Sequence, residues 1–199
     1  MSDKPDLAAL IGSRICHDLI SPIGAIGNGV ELLMMEGNAK ASPELALIAE
    51  SVAHANARIR FFRVAFGAAG RDQRISRTEV AAILGAMAQG GRLHVEWQSG
   101  QDLPRPEVKL VFLLLQCVES AMAWGGEVTV EESGAGWRIE ARAARMRADP
   151  TLWSTLGGAR TAEDLGAAHV HFALVPRALA AQGRRLTCAL GETTISLRF

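Results

Sequence analysis

From residue 7 to residue 36 the chain reads LAALIGSRICHDLISPIGAIGNGVELLMME, and after GNAKAS it continues from residue 43 to residue 66 as PELALIAESVAHANARIRFFRVAF. In the first stretch Ile11, Ile15, Leu19, Ile23, Ile26, Val30 and Leu33 recur every three or four positions, the mark of an amphipathic helix with one buried and one wet face. Gly37 and Asn38 supply its C-terminal stop. Ser42, Pro43 and Glu44 then supply a side-chain cap, a proline suited to the first helical position and an acid near the positive end of a second helix. That helix carries Leu45, Ile48, Val52, Ala55, Ile59, Phe62 and Phe66 at alternating gaps of three and four, a heptad seam of the coiled-coil kind.

A connection of about five residues makes the two helices antiparallel. One hairpin cannot enclose a core, and the usual solution is a four-helix bundle, so a homodimer contributing two hairpins is expected, with Val52, Ile59 and Phe62 holding it together. After Gly67-Ala68-Ala69-Gly70-Arg71 the pattern changes to mixed helix and strand, which divides the chain into residues 1–70 and 71–199. Ser76 and Glu79 are spaced as a capping box before a helix ending near Gln89. Then come a strand at Leu93-His94-Val95-Glu96-Trp97, a helix from about Pro106 to Trp124, and strands around Val128-Thr129-Val130 and Trp137-Arg138-Ile139-Glu140. A helical region to about Gln182, bent or shortened by Pro176, precedes strands at 185–190 and 194–199. The fold class is α+β: a helical hairpin followed by a two-layer α/β sandwich.

The 199 residues balance 21 basic against 21 acidic side chains, so no field draws in nucleic acid or an anionic membrane. The N-terminal MSDKPDL lacks the basic start and apolar run of a signal peptide, and LVFLLL at 110–115 is too short to span a bilayer and reads as a buried helix. Three widely spaced cysteines, Cys16, Cys117 and Cys188, fit a reducing compartment, which points to the cytoplasm.

His17 lies opposite Ile15 and Leu19 on the first helix, towards solvent, among the small or polar Ser13, Ser21, Gly24 and Asn28. Histidine is largely neutral near pH 7, and its free ring nitrogen is a competent nucleophile towards an acyl phosphate. Asp18 either holds the imidazole in its reactive tautomer or takes up the proton as a phosphoramidate forms, although residues i and i+1 do not face each other on a helix; the alternative is that it pairs with Arg14 one turn away. Pro22 removes a helical hydrogen bond just beyond His17 and frees the carbonyl of Asp18. His169 and His171 alternate with apolar residues without a third ligand at a convincing spacing, so they read as capped or surface histidines and no metal is assigned. Trp97, Trp124, Trp137 and Trp153 read as core or interface.

The run Cys16-His17-Asp18-Leu19-Ile20-Ser21-Pro22-Ile23-Gly24-Ala25-Ile26 resembles the phosphoacceptor box of bacterial two-component histidine kinases. The resemblance implies His17 as phosphoacceptor, Asp18 as the adjacent acid and Pro22 as the kinking proline. It extends to the second half, which looks like the kinase ATP-binding domain with its nucleotide elements replaced. Ser120 stands where an asparagine is expected for Mg-ATP, and Arg142-Ala143-Ala144-Arg145-Met146-Arg147 stands where an Asp-x-Gly-x-Gly turn is expected. Leu165-Gly166-Ala167-Ala168-His169-Val170-His171 keeps a single glycine of the phosphate loop, and glycines are what let backbone amides approach phosphate oxygens.

An intact histidine box on a kinase-like dimer without a nucleotide site is similar to the ChpT-type histidine phosphotransferases of bacterial cell-cycle phosphorelays. That resemblance implies a phosphoryl donor that is the receiver domain of a hybrid histidine kinase and acceptors that are response regulator receiver domains. It also implies no cofactor in this chain, the Mg²⁺ being held by the receiver's acids. The expected docking surface is Ile20, Ser21, Gly24 and Asn28 below His17, with Leu10, Ser13 and Arg14 above it. A kinase with an altered nucleotide site would instead take label from Mg-ATP, and a dimeric scaffold for receiver domains would need no nucleophile. The retained histidine word discriminates against the scaffold and the missing glycines against the kinase.

Overall fold

The computed structural model describes residues 7–35, 42–89, 91–100, 102–134, 136–157 and 165–199. The chain forms two compact units, Met1–Ala68 and Ala69–Phe199. The sequence readings at residues 1–6, at Glu36, Gly37 and Asn38 and along the connection after them lie outside the described residues.

The first unit pairs α1 (Leu7–Met35) with α2 (Pro43–Ala65). Ser42 caps α2 as its sequence predicts: its hydroxyl accepts a hydrogen bond from the Leu45 amide at 3.4 Å and donates to the Glu44 carboxylate at 2.6 Å, with Pro43 opening the first turn. The helices run antiparallel and approach closely where α1 carries glycine. A Cβ on Gly12 would lie 3.3 Å from the Phe66 carbonyl oxygen, and one on Gly27 3.3 Å from Cγ1 of Val52. At the end of the hairpin the Ala68 amide donates to the Ser13 hydroxyl at 2.9 Å.

The packing face of α1 differs from the one its large apolar residues suggest. Within the single chain, Ala9, Cys16 and Val30 are buried, whereas Ile11, Ile15, Leu19, Ile26 and Leu33 are 44–58% exposed. Two stripes therefore run side by side: a small-residue stripe permits the close approach to α2, and a stripe of bulky aliphatic residues stays exposed among the described residues. On α2 the buried residues are Ala57, Phe61, Val64 and Ala65; Val52, Ile59 and Phe62 are half-buried and Ile48 is exposed.

The second unit is built on a five-stranded sheet of order β2-β4-β5-β7-β6, with strands at Leu93–Gln98, Gly126–Ser133, Gly136–Arg142, Thr194–Arg198 and Thr187–Leu190 respectively. β2 and β4 are parallel and the other neighbours antiparallel. The crossover between the parallel pair is α4 (Arg105–Ala121), whose run Leu110 to Leu115 is at most 1% exposed. Each of these aliphatic side chains contributes about 2 kcal/mol by leaving water. Inward residues alternate along the strands, with Val128 and Val130, Trp137, Ile139 and Ala141, and Ile195 and Leu197 all buried. The opposite sheet face carries side chains such as Glu131, Arg138 and Glu140, which makes a two-layer arrangement.

α3 (Arg77–Ala88) starts on Ser76, whose hydroxyl accepts from the Glu79 amide at 3.1 Å. α6 (Val170–Ala181) contains Pro176 and begins much later than the apolar pattern of the region, which also holds the short α5 (Pro150–Ser154). Two short strands, β1 (Arg74–Ser76) and β3 (Asp102–Pro104), pair antiparallel, and three residues apiece are too few to show period-two alternation in sequence. α4 ends at Ala121, so Trp124 lies in the following turn and is 58% exposed; Trp97, Trp137 and Trp153 are buried in the core.

Candidate functional site

His17 sits about a third of the way along α1 with its side chain 83% exposed. α1 is continuous through Pro22, which has no amide to give the Asp18 carbonyl. Successive helical positions are about 100° apart, which sets Leu10, Gly24 and Asn28 on the His17 side of the helix and the bulky stripe of Ile15, Leu19 and Ile26 on the other. Of the expected docking residues, Leu10, Arg14, Ser21 and Asn28 are exposed, Ile20 and Gly24 are half-buried, and a Cβ on Gly24 meets nothing within 4 Å. The Ser13 hydroxyl is engaged with the Ala68 amide, so this residue ties down the end of the hairpin rather than standing open on the face.

The sequence left the two partners of Asp18 as alternatives, and the structure has both at once. Oδ1 lies 3.1 Å from His17 Nδ1, and Oδ2 accepts from Arg14 Nε at 2.7 Å. These two hydrogen bonds, that from His17 first, hold the Asp18 carboxyl below the usual carboxylate range, so it is an anion near neutrality. An anionic acceptor at Nδ1 fixes the proton there and leaves the lone pair on Nε2.

Cys16, next in sequence, is a stronger intrinsic nucleophile than histidine, but it faces α2 and is 7% exposed. Burial pushes its thiol up, against a smaller opposing pull from Arg63, so it stays protonated and inert.

In the second unit Ser120 turns its hydroxyl back onto the Cys117 carbonyl at 2.6 Å, within its own helix. The segment after β5 is pinned by backbone bonds from Met146 to Glu192 and from Arg147 to Ala121, both 2.8 Å. His171 is not on the surface: it is 7% exposed, and Nε2 is buried with no hydrogen-bond partner among the described residues. Among the described residues no group of three or more His, Cys, Asp or Glu side chains is placed to hold a metal ion, and no helix is long and apolar enough to cross a membrane.

Residues 77–194 match the family model of the histidine phosphotransferase C-terminal domain. The chain is 35% identical over 168 residues to the protein phosphotransferase ChpT of Brucella abortus (strain 2308), covering 81% of this chain and 79% of that protein. A solved structure of a bacterial phosphotransferase superposes with a TM-score of 0.68 at 30% identity, covering 99% of this chain and 97% of the other. The chain belongs to the histidine phosphotransferase family.

Proposed function

We propose that this histidine phosphotransferase works through His17, taking a phosphoryl group from the aspartate of one receiver domain and passing it to the aspartate of another. Family membership makes the chain a phosphotransferase of a phosphorelay; the observation that supports His17 as its carrier is the Asp18 carboxylate 3.1 Å from Nδ1 on an open helical face. Nε2 attacks phosphorus in line, the Nε2–P bond forms as the P–O bond to the donor's aspartate breaks, and that carboxylate leaves with the electron pair. The proton already on Nδ1 stays, and the positive ring is stabilised by Asp18. A ring kept protonated at Nδ1 is also a good leaving group, so the same arrangement serves the onward transfer to a second aspartate. Positioning carries most of the acceleration in such a step.

The donor would be the receiver domain of a hybrid histidine kinase, the acceptors response regulator receiver domains, and the Mg²⁺ that of the receiver's own acids. The exposed aliphatic stripe of α1 supports a homodimer closing a four-helix bundle, with the His17 face turned outward in both copies. The balanced charge and dispersed cysteines support a cytoplasmic site of action. The altered nucleotide motifs, with the Ser120 hydroxyl spent on its own helix, support transfer without ATP.

The test mixes a phosphorylated receiver, freed of ATP, with the wild type and with His17→Gln. Acid-labile label on the wild type alone, able to move on to a second receiver, is the expected result. Label on His17→Gln would place the carrier elsewhere, and label only from Mg-ATP would make the protein a kinase.

A further inference from the structure

Asp18 presents a problem that its distance to His17 does not solve. The two are consecutive on a helix and their side chains diverge by about 100°, so the contact is not one that helical geometry provides by itself. Moreover the last torsion of aspartate, which decides where each oxygen points, is broad and roughly two-fold. With both side chains in water, at 50% and 83% exposure, nothing in the imidazole alone keeps Oδ1 at Nδ1.

Arg14 removes that freedom. It lies one turn before Asp18, on the same strip of the helix, where side chains lean back towards the N-terminus and meet. Its Nε donates to Oδ2 at 2.7 Å, which leaves Oδ1 as the oxygen that reaches Nδ1 at 3.1 Å. The bond uses Nε, part of the planar guanidinium fork, whereas a lysine ammonium is a rotating point charge without a fixed direction.

We propose that Arg14 is a positioning residue for phosphoryl transfer: by holding Oδ2 of Asp18 it aims Oδ1 at His17 Nδ1 and so keeps the nucleophilic lone pair on Nε2. The inference rests on His17 as the carrier and gives Arg14 a role apart from any contact with a docked receiver. Because the ion pair is exposed, salt screens it, and its effect fades at high ionic strength. An exposed pair at this spacing is worth roughly a two- to three-fold change in an equilibrium, which sets the size of effect to look for.

The experiment reads the imidazole directly. The full chain is labelled with ¹⁵N-histidine, and the protonation of the two His17 ring nitrogens is measured by NMR in wild type, Arg14→Ala, Arg14→Lys and Asp18→Asn, at low salt and at high salt. Phosphorylation by phosphoramidate, a donor too small to dock, is timed in the same samples. Arg14→Ala is expected to move the Nδ1–H to Nε2–H ratio about two- to three-fold towards Nε2–H and to slow phosphoramidate labelling similarly, with Arg14→Lys between it and wild type. High salt should shift the wild type the same way and leave Arg14→Ala unchanged. An unaltered tautomer ratio in Arg14→Ala overturns the proposal even if transfer from receivers falls, since Arg14 would then act in docking. Failure of wild-type His17 to take label from any donor would instead strike the functional reading, and the tautomer measurement still decides the role of Arg14.

Discussion

The carboxylate of Asp18 meets Nδ1 of its own neighbour, His17, at 3.1 Å, a contact between consecutive residues of an unbroken helix. Replacing the acid by an amide keeps the shape and removes the charge that favours the Nδ1–H tautomer. Asp18→Asn is expected to slow transfer from a phosphorylated receiver by about 10- to 100-fold, the range for loss of a carboxylate that orients a working histidine, while label still maps to residue 17. Rapid-quench transfer assays check this, and an unchanged rate would remove Asp18 from the mechanism.

Gly24 and Gly27 occupy the same helix three positions apart and predict opposite phenotypes. A Cβ at Gly24 meets nothing within 4 Å, so Gly24→Arg should leave helicity and melting temperature close to wild type while it obstructs a docking receiver and stops transfer. At Gly27 even a Cβ would stand 3.3 Å from Cγ1 of Val52. Gly27→Leu should therefore destabilise the hairpin by about 1–3 kcal/mol through overpacking, read as a lower midpoint in urea.

The bulky stripe of α1 gives a test of assembly. Ile15 and Leu19 are 53% and 44% exposed in the single chain, so the double variant Ile15→Glu, Leu19→Glu costs the monomer little and buries charge in any bundle formed by two copies. Light scattering after size exclusion should show wild type at twice the chain mass and the variant at the chain mass. A variant that stays dimeric would move the interface off this stripe.

His171 predicts how stability depends on pH. Burial, with a smaller push from His169, lowers its pKa from 6.5 to about 4, so the folded chain declines a proton that the unfolded chain accepts. Its contribution is complete above pH 6.5 and is lost as pH falls from there towards 4. The loss amounts to about 2 kcal/mol by pH 5. Wild type should lose stability relative to His171→Leu by that amount between pH 7.5 and pH 5, read from denaturation midpoints, and parallel curves would show that His171 does not govern the slope.

The caps of α2 and α3 were legible because a hydroxyl three residues before an orphan amide is a local device, and both Ser42 and Ser76 make the bonds that their spacing suggests. The buried α4 was legible from its apolar run, and the main strands from alternation. The face of α1 that meets α2 was not: hydrophobicity points to Ile15 and Leu19, while close approach selects Gly12, Cys16 and Gly27, and small residues carry little signal in a periodicity. β1 and β3 went unseen because each owes its form to the other, 28 residues away, not to its own three residues. At the site, the exposure of His17 followed from helical phase alone, but its contact with Asp18 did not, since it depends on the third residue, Arg14, that turns the carboxylate. Nothing local marks Ser13 as the partner of Ala68 across 55 positions.

Every side of α1 is spoken for: small residues lie against α2, bulky aliphatics stand bare in the single chain, and His17 has a strip of its own. Such a helix has little room to drift. A lineage that needed this relay to answer a different regulator could not remodel the helix at large, and would have to confine its changes to a few places such as Leu10, Gly24 and Asn28. Insulation between neighbouring relays would then hang on a handful of codons, which makes cross-talk easy to acquire and equally easy to lose.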